Sequence, residues 1–95
     1  MTKPSNINEI RIEIDKIDLK ILELISQRKD LVTQVVKFKS KSQIVDQERI
    51  NQIFSRLDTE AKKRGISQKL VRSLWQSMIE SFIAYEEEIF NKTKD

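Results

Sequence analysis

Arg28 and Lys39 stand eleven residues apart in a stretch without helix breakers. At ~100° per residue, that spacing returns a helix to within about 20° of the same face. Val32 and Val35 lie between them on that face. Two cations bracketing valines describe a pocket wall as readily as a solvated surface, where Glu23 and Asp30 are ordinary partners. Glu86 is the sharper anomaly, because it occupies the stripe Ile79, Phe82, Ile83, Phe90, where an apolar residue belongs. A carboxyl there sits either at an exposed edge or buried for a purpose. Arg11 lies beside Ile7 and Ile14, with Asp15 one turn later as a local partner. Histidine and cysteine are both absent. The commonest general base, thiolate nucleophiles and the usual metal ligands are therefore missing. A single glycine cannot build a Gly-rich phosphate loop. Cations around an apolar cavity suit a small dianion whose body is carbon, and a reaction that needs only charge placement and orientation. Neither a metal nor a cofactor is expected.

The elements that must hold these residues are helices. One Gly and one Pro in 95 residues, with abundant Ile, Leu, Lys, Glu and Gln, predict helix nearly throughout. Asn6 followed by Glu9 reads as a capping box. From there Ile7, Ile10, Ile14, Ile17, Ile21, Leu24, Leu31, Val35 and Phe38 recur at helical spacing. A first helix is predicted over about 6–40, with Ser40–Gln43 as a loop. Asp46 caps a second helix over 46–64, which Gly65 ends. Ser67 caps a third over 67–91, in which Trp75 reads as core. The whole of 1–95 is read as a single helical domain.

The first helix decides the assembly. About 34 residues at ~1.5 Å each make a rod of roughly 50 Å, whereas a compact chain of this length spans only ~32 Å. Two shorter helices cannot cover its apolar stripe, so an intertwined homodimer is expected. The net charge of +3 suits an anionic small molecule. Acids interspersed among the bases, as in Glu86–Glu88, speak against nucleic acid as the partner. No apolar run reaches membrane-spanning length and the start is not signal-like, so no membrane association and a cytoplasmic location are expected.

The stretch IRIEIDKIDLKILELISQRKDLVTQVVKFK, residues 10–39, resembles the first helix of the all-helical, AroQ-class chorismate mutase family. An Arg, an I-D-x-I-D-like segment, a second Arg and a Lys eleven residues later place Arg11, Arg28 and Lys39. VDQER is similar to the family's short D-x-x-R motif and places Asp46 and Arg49. LWQSMIESFIAYEEEIF continues the likeness, which covers roughly 7–91, with Glu86 at the position facing the substrate ether oxygen. The resemblance implies a chorismate mutase II-like all-α fold of three helices, one long and N-terminal. It implies isomerisation of chorismate to prephenate, in aromatic amino-acid biosynthesis, by a pericyclic [3,3] rearrangement that needs no cofactor. Arg11 and Arg28 would clamp the two carboxylates, and Lys39 and Glu86 would donate to the ether oxygen. Arg49 would add positive field and Asp46 would orient the ring hydroxyl. Arg11 and Arg28 are seventeen residues apart on one rod, about 25 Å. If both serve one pocket, Arg11 comes from the other chain.

Two positions depart from the family pattern. Ile50 stands where a Glu often helps hold the substrate hydroxyl, and Phe82 replaces a frequent hydroxyl contact one turn before Glu86. Both features are also similar to isochorismate-pyruvate lyase, which shares the fold and releases pyruvate and salicylate. A non-catalytic helical dimer acting as a binding module is the third reading.

Overall fold

A computed structural model describes residues 6–93. The described residues form three α-helices and one short turn of 3-10 helix. Helix α1 is Ile7–Val36, the 3-10 turn Lys41–Gln43, α2 Gln47–Lys63 and α3 Gln68–Thr93. No strand occurs among the described residues, as the scarcity of Gly and Pro predicts. Contacts divide the chain into two units, one ending at Leu31 and the other starting at Val32.

The first unit is helix from Ile7 onward. Asn6 caps it: Asn6 Oδ1 accepts the Glu9 backbone N–H at 3.0 Å, satisfying one of the orphan donors of the first turn. Its polar faces carry local pairs such as Lys16–Glu13 at 3.3 Å. Its apolar stripe is wet. Ile7, Ile10, Ile14, Ile17, Ile21, Leu24 and Leu31 are 46–61% exposed. Each such side chain gains ~1.5–3 kcal/mol when fully buried. Soluble chains rarely leave that much contiguous apolar surface uncovered.

The second unit opens with the last turn of α1. The helix ends at Val36, short of the predicted limit at residue 40. Lys37, Phe38 and Lys39 donate their N–H groups to Gln34, Val35 and Val36 at 3.0–3.2 Å, each three residues back. Such bonds tighten a helix end and release the chain. The β-branched pair Val35–Val36 has weak helix propensity. Turning here lets Ile44 join Val36 and Phe90 in a buried cluster, with Val32, Ile83 and Ile89 packed against it. Phe38, expected on the apolar stripe, is 89% exposed. The Ser40–Gln43 segment is a 3-10 turn in which Gln43 Oε1 accepts the Ser40 N–H at 2.8 Å.

Helices α2 and α3 pack as a hairpin. Asp46 caps α2, its Oδ1 accepting Arg49 N–H at 3.0 Å. At the far end Ile66 N–H reaches Ala61 O at 2.9 Å and Gly65 N–H reaches Lys62 O at 3.3 Å. This is a Schellman motif, and it requires the positive φ that Gly65 adopts at 66°. Ser67 Oγ accepts Leu70 N–H at 3.1 Å and starts α3. The hairpin buries Phe54, Ala61, Val71 and Ile79, while Trp75 is half-buried. Arg72 binds Asp58 through two hydrogen bonds of 2.9 and 2.7 Å. Its guanidinium carbon lies 5.0 Å from the Phe54 ring centroid, a cation–π contact. No helix among the described residues is long and apolar enough to cross a membrane.

Candidate active site

Glu86 is 7% exposed and is the one buried charged residue among those described. Helix α3 forces it inward, because Phe82, Ile83 and Phe90 lie three or four residues away and define the same inner face. Its partner arrives from outside α3. Lys39 Nζ donates to Glu86 Oε1 at 2.9 Å, and the Lys39 side chain keeps 21% of its exposure. The eleven-residue spacing predicts Lys39 on the same helical face as Arg28. That placement fails, because α1 stops at Val36 and Lys39 belongs to the coil behind it. The Val36–Ile44–Phe90 cluster folds this coil against α3 instead. A short, largely desolvated ion pair of this kind is strong, and either member left alone is costly.

Around the pair the wall is apolar and braced. The Phe82 and Tyr85 rings meet edge to face, with centroids 6.2 Å apart and planes at 88°. Tyr85 Oη shares a 2.8 Å hydrogen bond with Thr33 Oγ1. Neither Thr33 nor Tyr85 was singled out from the sequence. The available signal was a tyrosine three residues after Phe82, whose hydroxyl needs a partner if half-buried.

The other predicted residues are distributed along the chain. Asp46 and Arg49 are exposed at the start of α2 and joined through the cap, with half-buried Ile50 next to them. They make no hydrogen bond or ion pair with Lys39 or Glu86 among the described residues. Arg28 is half-buried and Arg11 exposed, both on α1 in the first unit. Seventeen residues at ~1.5 Å each keep these two about 25 Å apart.

Concave surface is also found away from this pair. A broad groove of about 600 Å³ runs along one face of α2, past Glu48, Asn51, Ser55, Arg56 and Thr59. It is open and formed by a single helix, so nothing in it converges on a ligand. A smaller hollow of about 250 Å³ lies between Lys41, Ile44, Val45 and the Glu87–Asn91 stretch. Chemistry is better assigned to the buried pair, because desolvation makes a fixed charge effective. Among the described residues, no three acidic side chains gather as a metal-binding group.

Comparison with known proteins gives a consistent identity. Residues 10–87 match the family model for chorismate mutase type II. A chorismate mutase from Methanocaldococcus jannaschii is 32% identical over 89 residues, covering 92% of this chain and 90% of that protein. A bifunctional chorismate mutase/prephenate dehydratase from Buchnera aphidicola subsp. Schizaphis graminum is 29% identical over 97% of this chain. A second Buchnera bifunctional protein, from subsp. Acyrthosiphon pisum, is 31% identical over 86% of the chain. The chain spans 24% and 22% of the length of these two bifunctional relatives. Its three helices, the order of its charged residues and the family match over most of its length agree, and the chain belongs to the type II chorismate mutase family.

Proposed function

We propose that the chain rearranges chorismate to prephenate, and that the buried Lys39–Glu86 pair marks where the reacting bond sits. In this pericyclic step one C–O bond breaks and one C–C bond forms within a single molecule. No nucleophile, metal or cofactor is needed. The protein's task is to hold a compact conformer and to stabilise negative charge growing on the ether oxygen. Lys39 supplies N–H donors there, and the Glu86 carboxyl beside it is the second group facing that oxygen. Arg28 and Arg11 clamp the two carboxylates, Arg49 adds positive field, and Asp46 orients the ring hydroxyl with Ile50 and Phe82 as neighbouring wall. This role for Asp46 uses the carboxylate that also caps α2.

The functional unit in this proposal is a homodimer with Arg11 supplied by the partner. Two observations support it: the exposed Ile and Leu stripe of α1, and the placement of Arg11 and Arg28 on one continuous helix. The setting proposed is the cytoplasm and aromatic amino-acid biosynthesis.

One observation favours a second substrate. Ile50 is half-buried and Phe82 carries an aromatic wall at the two positions where a polar hydroxyl contact would sit. Isochorismate, split to pyruvate and salicylate, is the alternative. Parallel incubation with chorismate and isochorismate decides between them. Prephenate from chorismate, with little salicylate, is the expected result. Salicylate alone would replace the assignment by the lyase, and neither product would reduce the chain to a non-catalytic dimer.

A further inference from the structure

Two polar ties join the end of α1 and the coil behind it to neighbouring residues of α3. Lys39 meets Glu86 at 2.9 Å, and Thr33 Oγ1 meets Tyr85 Oη at 2.8 Å. Successive residues on a helix project ~100° apart, so ties at 85 and 86 approach α3 from two directions. A single tie sets a separation; two also resist rotation of α3 about its own axis. That rotation would carry Glu86 away from Lys39. The restraint matters because Lys39 lies beyond Val36 and has no helix of its own to hold it.

Tyr85 is engaged a second time. Its ring packs edge-on against Phe82 at 6.2 Å, and Phe82 sits one turn before Glu86 on the same inner face. One side chain thus steadies two residues of the wall. A phenylalanine would fill the same space and keep the ring contact. What the hydroxyl adds is direction, fixed by Thr33.

We propose that Tyr85 is a positioning residue: through Thr33 and Phe82 it sets the orientation of Glu86 and of the Phe82 ring toward the substrate. It therefore governs turnover rather than affinity. Affinity for a dianion comes chiefly from the arginine–carboxylate contacts. The ether-oxygen contact strengthens only as charge develops, so its misplacement falls on kcat. The inference rests on reading Lys39 and Glu86 as substrate-facing groups.

The test is steady-state kinetics on chorismate for Tyr85→Phe, Thr33→Val, Thr33→Ser and the Tyr85→Phe/Thr33→Val double variant, with Lys39→Ala as control. Tyr85→Phe and Thr33→Val should each lower kcat by about 3–10-fold with KM within about twofold, since small misplacements weigh on the transition state. The double variant should fall no further than either single one, because both remove the same bond. Thr33→Ser, which keeps the hydroxyl, should stay within about twofold of the parent. Full kcat in a folded Tyr85→Phe, losses that multiply in the double variant, or a loss carried by KM would each overturn the proposal. If Tyr85→Phe does not fold, Thr33→Val decides, since it leaves the phenol ring in place. The control separates the two levels. An inactive Lys39→Ala beside a fully active Tyr85→Phe removes only the positioning role, whereas a fully active Lys39→Ala removes the assigned site and this role with it.

Discussion

Truncating Lys39 to Ala leaves the Glu86 carboxylate buried without its counter-charge, and the size of the loss can be worked from the geometry. Two unit charges 2.9 Å apart attract by about 1.4 kcal/mol in bulk water and about 6 kcal/mol at an effective dielectric of ~20. The Glu86 side chain keeps 10% of its exposure and that of Lys39 21%, so the pair lies between these limits. Rehydration of the surviving ion returns part of the difference, which leaves an expected destabilisation of about 2–3 kcal/mol for Lys39→Ala. Lys39→Met keeps the apolar stem and Glu86→Gln keeps a polar head, so a double-mutant cycle on these two should isolate a coupling of about 1–2 kcal/mol. Urea unfolding followed by far-ultraviolet circular dichroism measures it, at one fixed chain concentration because association shifts the midpoint. The same variants assayed on chorismate should show Lys39→Ala slower by about 100-fold or more, the usual size of losing a donor to a developing oxyanion. A coupling below about 0.3 kcal/mol would show that the two groups do not interact when folded, and the charge-based account of the site would fall with it.

Four further outcomes are expected. Arg11→Ala and Arg28→Ala, each nearly inactive alone, should regain roughly a quarter of parental activity when unfolded together and refolded as a mixture: half the random dimers are mixed, and each has one intact site of two. A mixture as inactive as its parents, with heterodimers verified by mass, would rule out a shared pocket. Ile50→Glu should raise the preference for chorismate over isochorismate by about 1–2 kcal/mol in relative kcat/KM, the size of one polar contact; an unchanged ratio would mean that residue 50 does not face the ring. Gly65→Ala should cost about 1 kcal/mol in urea unfolding, because nothing lies within 4 Å of an added Cβ and the penalty is that of the positive φ alone. The hydrogen bonds from Arg72 hold the Asp58 carboxyl below its usual range, against the opposing effect of burial, and the Arg72 charge adds to them. That stabilisation is complete above the unfolded value near ~3.9 and is lost as pH falls through the lower folded value. Parent and Asp58→Asn should therefore converge in thermal stability in acid and separate slightly above about pH 4, the exposed setting keeping the difference small.

What the chain determined locally, its sequence displayed. Helix follows from propensity and a 3.6-residue apolar period, and caps follow from short-range chemistry. Asn6, Asp46, Gly65 and Ser67 were therefore legible at their sites: each acts on backbone groups within about one turn. Glu86 was legible as an anomaly for the same reason, since a carboxyl inside an apolar stripe breaks a local rule whatever surrounds it. The family likeness added an order of charged residues along the chain, which no distance criterion is needed to read. Tertiary packing decided the rest. The weak helix propensity of Val35–Val36 permits α1 to stop there but does not require it; Ile44 and Phe90, eight and fifty-four residues later, compensate the turn with a buried cluster. That early stop takes Lys39 off the face it would share with Arg28 and delivers it to Glu86. Thr33 and Tyr85 are likewise fifty-two residues apart, and a hydrogen bond across that interval leaves no periodic trace in either segment. Local rules set which residues are available; only the packing of distant apolar side chains sets which of them meet.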